Sequence, residues 1–64
     1  MKNVFTVDWC NLEQVKKVAD AMATYGQPQV VVKHCNQSNY NVTFASKIDR
    51  YKEHEVVYRT YQQN

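Results

Sequence analysis

Cys10, His34, Cys35 and His54 are the side chains here with the chemistry of nucleophiles or soft metal ligands. His34 and Cys35 are adjacent, and a thiolate beside an imidazole base is a pairing used in covalent catalysis. Neighbours on a strand point to opposite faces, so these two form no dyad unless the backbone kinks there. Cys10 can reach His34 across the end of a helix, although nothing in the spacing demands it. As zinc ligands the four residues lie scattered over three segments, with no C-x-x-C or H-x3-H element, and no metal site is expected. With Gly26 as the one glycine there is no phosphate-cradling loop, and neither a G-x-S-x-G elbow nor a paired-carboxylate arrangement is present. The expectation is a non-enzyme with no catalytic residue, metal or cofactor.

The elements that position these residues fit one small domain. A chain of 64 residues buries only about 60% of its unfolded surface, so its core is thin and a partner or second copy matters to its stability. Residues 3–9 are β-rich, with Phe5, Val7 and Trp9 on one face of a period-two pattern, and predict a strand. Asn11 then caps a helix over 11–25, Gln14 occupies the capping-box position, and Gly26 stops it. Leu12, Val15, Val18, Ala19, Met22 and Tyr25 make its apolar stripe, while Glu13, Lys16, Lys17 and Asp20 face water with balanced charge.

Residues 29–34 and 40–45 predict a hairpin. Pairing residues whose numbers sum to 74 sets Val30 opposite Phe44, Val32 opposite Val42 and His34 opposite Tyr40, which gathers the large side chains on one face. Residues 47–53 predict a charged loop with a short helical turn anchored by Ile48 and Tyr51. Residues 54–61 alternate as a last strand, with Val56 and Tyr58 inward and Val57, Arg59 and Tyr61 outward, and residues 61–64 should fray. The fold class is α+β: one helix on one face of a mainly antiparallel four-stranded sheet, in the order β-α-β-β-β.

One helix covers one sheet face, which leaves the other open. The sum-74 register puts Thr6, Val31, Lys33, Asn41, Thr43, Val57, Arg59 and Tyr61 on that open face. The net charge of +2 falls entirely in residues 27–64, where Lys33, Lys47, Arg50, Lys52 and Arg59 outnumber Asp49, Glu53 and Glu55. An open face beside a basic loop predicts a docking surface made of Lys33, Asn41, Lys47, Arg50, Tyr51, Lys52, Arg59 and Tyr61. Protein binding needs only a complementary patch with aromatic and Arg anchors. Weak single-stranded nucleic-acid binding on the same surface is the alternative, although +2 is small, RNP, helix-turn-helix and zinc-finger patterns are absent, and a sheet reader would show aligned outward aromatics. A sheet edge can also pair with a partner's strand or a second copy, so a homodimer is a further option.

The first residues hold no apolar run of signal-peptide length, and no stretch approaches the roughly 20 apolar residues that span a bilayer. A cytosolic protein with reduced cysteines and no membrane partner is expected, and the Asn41-Val42-Thr43 sequon is then without meaning.

The segment Asn11-Leu12-Glu13-Gln14-Val15-Lys16-Lys17-Val18-Ala19, with a strand before it and three after, resembles in element order several very small phage-encoded proteins. Anti-CRISPR proteins and inhibitors of host RNA polymerase are among them. The resemblance implies a non-catalytic inhibitor that binds a host protein complex, and it transfers no residue role. The net positive charge departs from the acidic DNA mimics of that group.

Overall fold

Asn11 opens the helix α1 (Leu12–Tyr25) by accepting the backbone N–H groups of Glu13 and Gln14 on its side-chain oxygen at 3.0 and 3.3 Å. In the computed structural model, which describes residues 6–62, three strands follow: β1 (Gln29–Val32), β2 (Asn41–Phe44) and β3 (Val56–Arg59). Two 3-10 helices, Ala45–Arg50 and Glu53–Glu55, occupy the link between β2 and β3. The sheet is antiparallel in the order β2-β1-β3. The class is α+β, with three strands among the described residues where four were expected.

The missing strand has a local cause. Of the expected segment 3–9, residues 3–5 lie outside the described residues, and residues 6–8 are irregular, followed by a turn at 9–10. Asp8 makes that turn: its carboxylate accepts the Cys10 N–H at 3.0 Å, its carbonyl accepts the Asn11 N–H, and its own N–H donates to Gln14 Oε1 at 2.9 Å. Local side-chain bonds of this kind compete with strand pairing for the same backbone groups. Gln14 thus reaches back past the cap residue to Asp8, a longer reach than the capping box the sequence suggests.

The β1–β2 register sums to 73, setting Val31 opposite Val42 and Val30 opposite Thr43. This one-residue slip from the expected pairing turns β1 over against β2, whose Val42 keeps its expected inward place. Val31 joins Val15 and Ala19 in the core beneath the helix, with Leu12, Tyr40, Val42 and Tyr58 packed around them. Val30 and Val32 point away from the helix, yet they are 0% and 1% exposed. What lies over them is the link itself. β2 and β3 flank β1 on opposite sides and run parallel to each other, so residues 45–55 must cross the sheet, and the first 3-10 helix lies against β1 and β2. The second face is therefore covered by a crossover, and the open sheet face expected from the sequence is absent among the described residues.

Helix and strands differ in length. Fourteen residues of α1 span roughly 21 Å, whereas four-residue strands span roughly 13 Å, so the last helical turns overhang the sheet. Tyr25, assigned to the core stripe by its spacing, is accordingly 90% exposed, and Met22 is exposed as well.

The helix is tied to β3 by a polar contact. The Tyr58 hydroxyl donates to Asp20 Oδ1 at 2.7 Å, and the Lys16 ammonium sits 5.2 Å from the centre of the Tyr58 ring. The bond to Asp20, then burial and the Asp20 and Glu13 charges, hold the Tyr58 phenol above its ordinary 10.0. A raised phenol contributes stability that is complete below the unfolded value and is lost as pH climbs through the folded one. Tyr58→Phe is expected to cost about 1 kcal/mol at neutral pH. In urea unfolding, the gap between variant and wild type should then close above pH 10; a gap that stays constant there would deny the bond its role.

Candidate functional site

The end of β1 meets the start of β3 because the two strands are antiparallel. One step beyond the Val32–Val56 pair, the Lys33 N–H donates to the Glu55 carbonyl at 2.9 Å, which brings His34 and Glu55 side by side. His34 Nδ1 lies 2.6 Å from Glu55 Oε2, and Glu55 Oε1 accepts the Lys52 N–H at 2.9 Å. The Tyr51 ring stands 6.0 Å from the His34 ring, tilted by 38°. Glu55 is thus a three-way clamp that joins β1, the second 3-10 helix and β3.

Its side chain is 14% exposed against 42% for His34. The Lys52 N–H, foremost, and the His34 contact hold the Glu55 carboxyl below its ordinary 4.5, with His54 adding to the same direction. An ionised carboxylate only accepts, so Nδ1 of His34 carries the proton of this bond and Nε2 is the acceptor of the neutral ring. A carboxylate that orients an imidazole is half of a catalytic or metal-binding arrangement. Neither thiol is in hydrogen-bond contact with it. Cys35 lies in the exposed turn after β1, where the Gln37 N–H donates to the His34 carbonyl, and Cys10 Sγ contacts Asn39 Oδ1 at 3.1 Å. Both cysteines are free, and among the described residues no three of His, Cys, Asp and Glu gather as metal ligands.

The residues expected to bind a partner are redistributed by the crossover. Lys47, Arg50 and Lys52 are exposed on its outer side. Arg59 pairs with Val30, and Asn41 with Val32, so both border the covered face from the edge strands. Tyr51 is half-buried against His34, and the Lys47 ammonium lies 5.9 Å from the Phe44 ring. Lys33 is half-buried just past the end of β1, with the parity of Val31, and Tyr61 is half-buried beyond β3. The surface is therefore the back of a crossover, with Arg59 and Asn41 at its margins, and the flat sheet face assumed for it is not exposed.

Among the described residues the ion pairs are Lys16–Glu13 and His34–Glu55. None of Lys33, Lys47, Arg50, Lys52 and Arg59 is paired there. Sequence reasoning missed Glu55, which it placed on an alternating strand. The signal was available: a carboxylate at the start of a strand antiparallel to the one ending in Lys33-His34 must arrive beside that end. No helix among the described residues is long and apolar enough to cross a membrane. Comparison of the chain with protein-family models, with curated proteins and with solved structures finds no match.

Proposed function

We propose that the protein is a small non-catalytic binding module, an inhibitor or adaptor that acts in the cytoplasm by occupying the acidic surface of a partner protein. The carrying observation is the set of unpaired cations, three of which, Lys47, Arg50 and Lys52, are exposed on one short crossover. Cations left without carboxylate partners are available to a complementary surface, where they steer association and select the partner. The His34–Glu55 clamp serves this reading by fixing the crossover that carries them. A phage protein of the anti-CRISPR or host-takeover type is the setting that the element order suggests.

The same cations fit phosphate, so weak single-stranded nucleic-acid binding is the alternative; against it, Tyr51 is turned toward His34 and is not splayed for base stacking. The test is co-purification of the tagged chain with and without nuclease, beside a variant carrying Lys47→Glu, Arg50→Glu and Lys52→Glu. One stoichiometric protein retained after nuclease and lost in the variant is the expected result. Unchanged retention in the variant would move the interface elsewhere, and loss of all bound material on nuclease treatment would select the nucleic-acid alternative.

A further inference from the structure

We infer that β2 is a self-complementary edge and that two copies of this chain pair through it into a continuous six-stranded sheet. This inference is independent of the function proposed above.

The phase of the β1–β2 ladder carries the argument. The Ala45 N–H donates to the Pro28 carbonyl at 2.9 Å, so Ala45, Thr43 and Asn41 turn their backbone groups toward β1. By the alternation of an antiparallel ladder, Val42 and Phe44 turn theirs outward. Tyr40 belongs to the same outward set, and its N–H is already taken by the Trp9 carbonyl at 2.8 Å. That contact goes no further along the edge, because Asp8 has turned toward Gln14. Among the described residues, the N–H and C=O of Val42 and the N–H of Phe44 are left without partners, while the Phe44 carbonyl takes the first bond of the 3-10 helix that begins at Ala45.

One two-fold register joins the free Phe44 N–H to the free Val42 carbonyl. With Thr43 opposite Thr43 on the axis, Val42 of each copy pairs with Phe44 of the other. In each such pair the Phe44 N–H of one copy donates to the Val42 carbonyl of the other, and the pair occurs twice by symmetry. Centring the axis on Val42 would require the occupied Tyr40 N–H, and centring it on Phe44 would require residues that have already left the strand. Just past Phe44 each chain turns into its 3-10 helix at Ala45, so the incoming strand ends before it reaches the place held by Trp9.

The side chains agree. Val42 faces the helix side, and Phe44 shares its parity and is 43% exposed. Phe44 of the second copy would enter the groove lined by Trp9, Met22, Tyr40 and Val42. The strand reads Asn-Val-Thr-Phe, with no charge and no bulge, so like edges do not repel. β3, the other edge, carries Arg59 and a bulge opposite Val31 and Val32, the devices that guard an edge.

Phe44→Pro tests this without disturbing the monomer. Phe44 has φ −65°, the angle proline imposes, and its N–H points away from β1. Sedimentation of the full chain over a concentration series should show twice the 7.6 kDa chain mass, with the Phe44 amide protected from hydrogen exchange. Phe44→Pro should weaken the dimer at least about tenfold, through the loss of two backbone bonds, while its circular dichroism is unchanged. Phe44→Ala, which keeps the N–H, should weaken it less. A chain that stays monomeric, whether its edge amides are exposed or protected within the same molecule, would overturn the inference. So would a dimer indifferent to Phe44→Pro.

Discussion

Val30→Lys is expected to leave the chain unfolded at 25 °C. Val30 is 0% exposed on the sheet face that points away from α1, and its cross-strand neighbour in β3 is Arg59. An ammonium there is desolvated beneath the crossover and placed beside a like charge. The penalty is on the order of 3 kcal/mol or more. At roughly 0.1 kcal/mol per residue, a domain of this size has little more than that in total. On an open face the same substitution would leave lysine in water and cost a few tenths of a kcal/mol, on the order of an unfavourable cross-strand pair. Far-ultraviolet circular dichroism decides between the two: a folded Val30→Lys chain with near wild-type melting would mean that the crossover does not cover the sheet.

Removal of the Glu55 carboxylate should loosen the crossover. Glu55→Ala leaves the Lys52 N–H and His34 Nδ1 without their acceptor, and the Lys33 N–H bond to the Glu55 carbonyl loses its support. The pH dependence gives the sign. A carboxyl held below its ordinary 4.5 contributes stability that is present above that value and is lost as pH falls through the folded value. Wild type should therefore exceed Glu55→Ala in denaturant midpoint at pH 7, and the two should converge as the solution is acidified below about pH 4. Glu55→Gln, which keeps one acceptor, should fall between them at pH 7 and lack the acid-side change. Parallel curves for wild type and Glu55→Ala down to pH 2 would show that the clamp contributes nothing through its charge.

The helix was the most legible part of the sequence, because Asn11, Gly26 and the spacing of Leu12, Val15 and Ala19 all point to the same boundaries. The positions of β1, β2 and β3 were legible as β-rich runs. Val42 and Tyr58 face the core as expected, but the face of β1 was not legible. Gln29, Val30, Val31 and Val32 are all buried, so β1 has no alternation to report which side meets the helix. A register one residue away looked equally good, and it set Val30 and Val32 on the helix side in place of Val31. The ladder through Pro28 and Ala45 sets the observed pairing, and such a bond between the ends of two strands leaves no mark on hydrophobic pattern.

The crossover was hidden for a related reason. Residues 45–55 are charged and aperiodic, which is how a solvated loop looks, and only the strand order forces them across the sheet. Once β1 lies between β2 and β3, a link from β2 to β3 has to pass over one face or the other, and α1 holds the first. The cations expected to bind a partner were thus identified by type and misplaced by topology: Lys47, Arg50 and Lys52 are exposed, but on the cover and not beside an open sheet. Cys10, by contrast, was weighed for chemistry and contacts Asn39, while Glu55 received no role and clamps the fold.

The most direct test is the solvent access of the valine methyls in β1, read by proton relaxation with a soluble gadolinium chelate. Burial on both faces predicts that the methyls of Val30 and Val32 are as protected as those of Val31. Strong relaxation at Val30 and Val32 with Val31 still protected would mean an open sheet face, and would contradict the account.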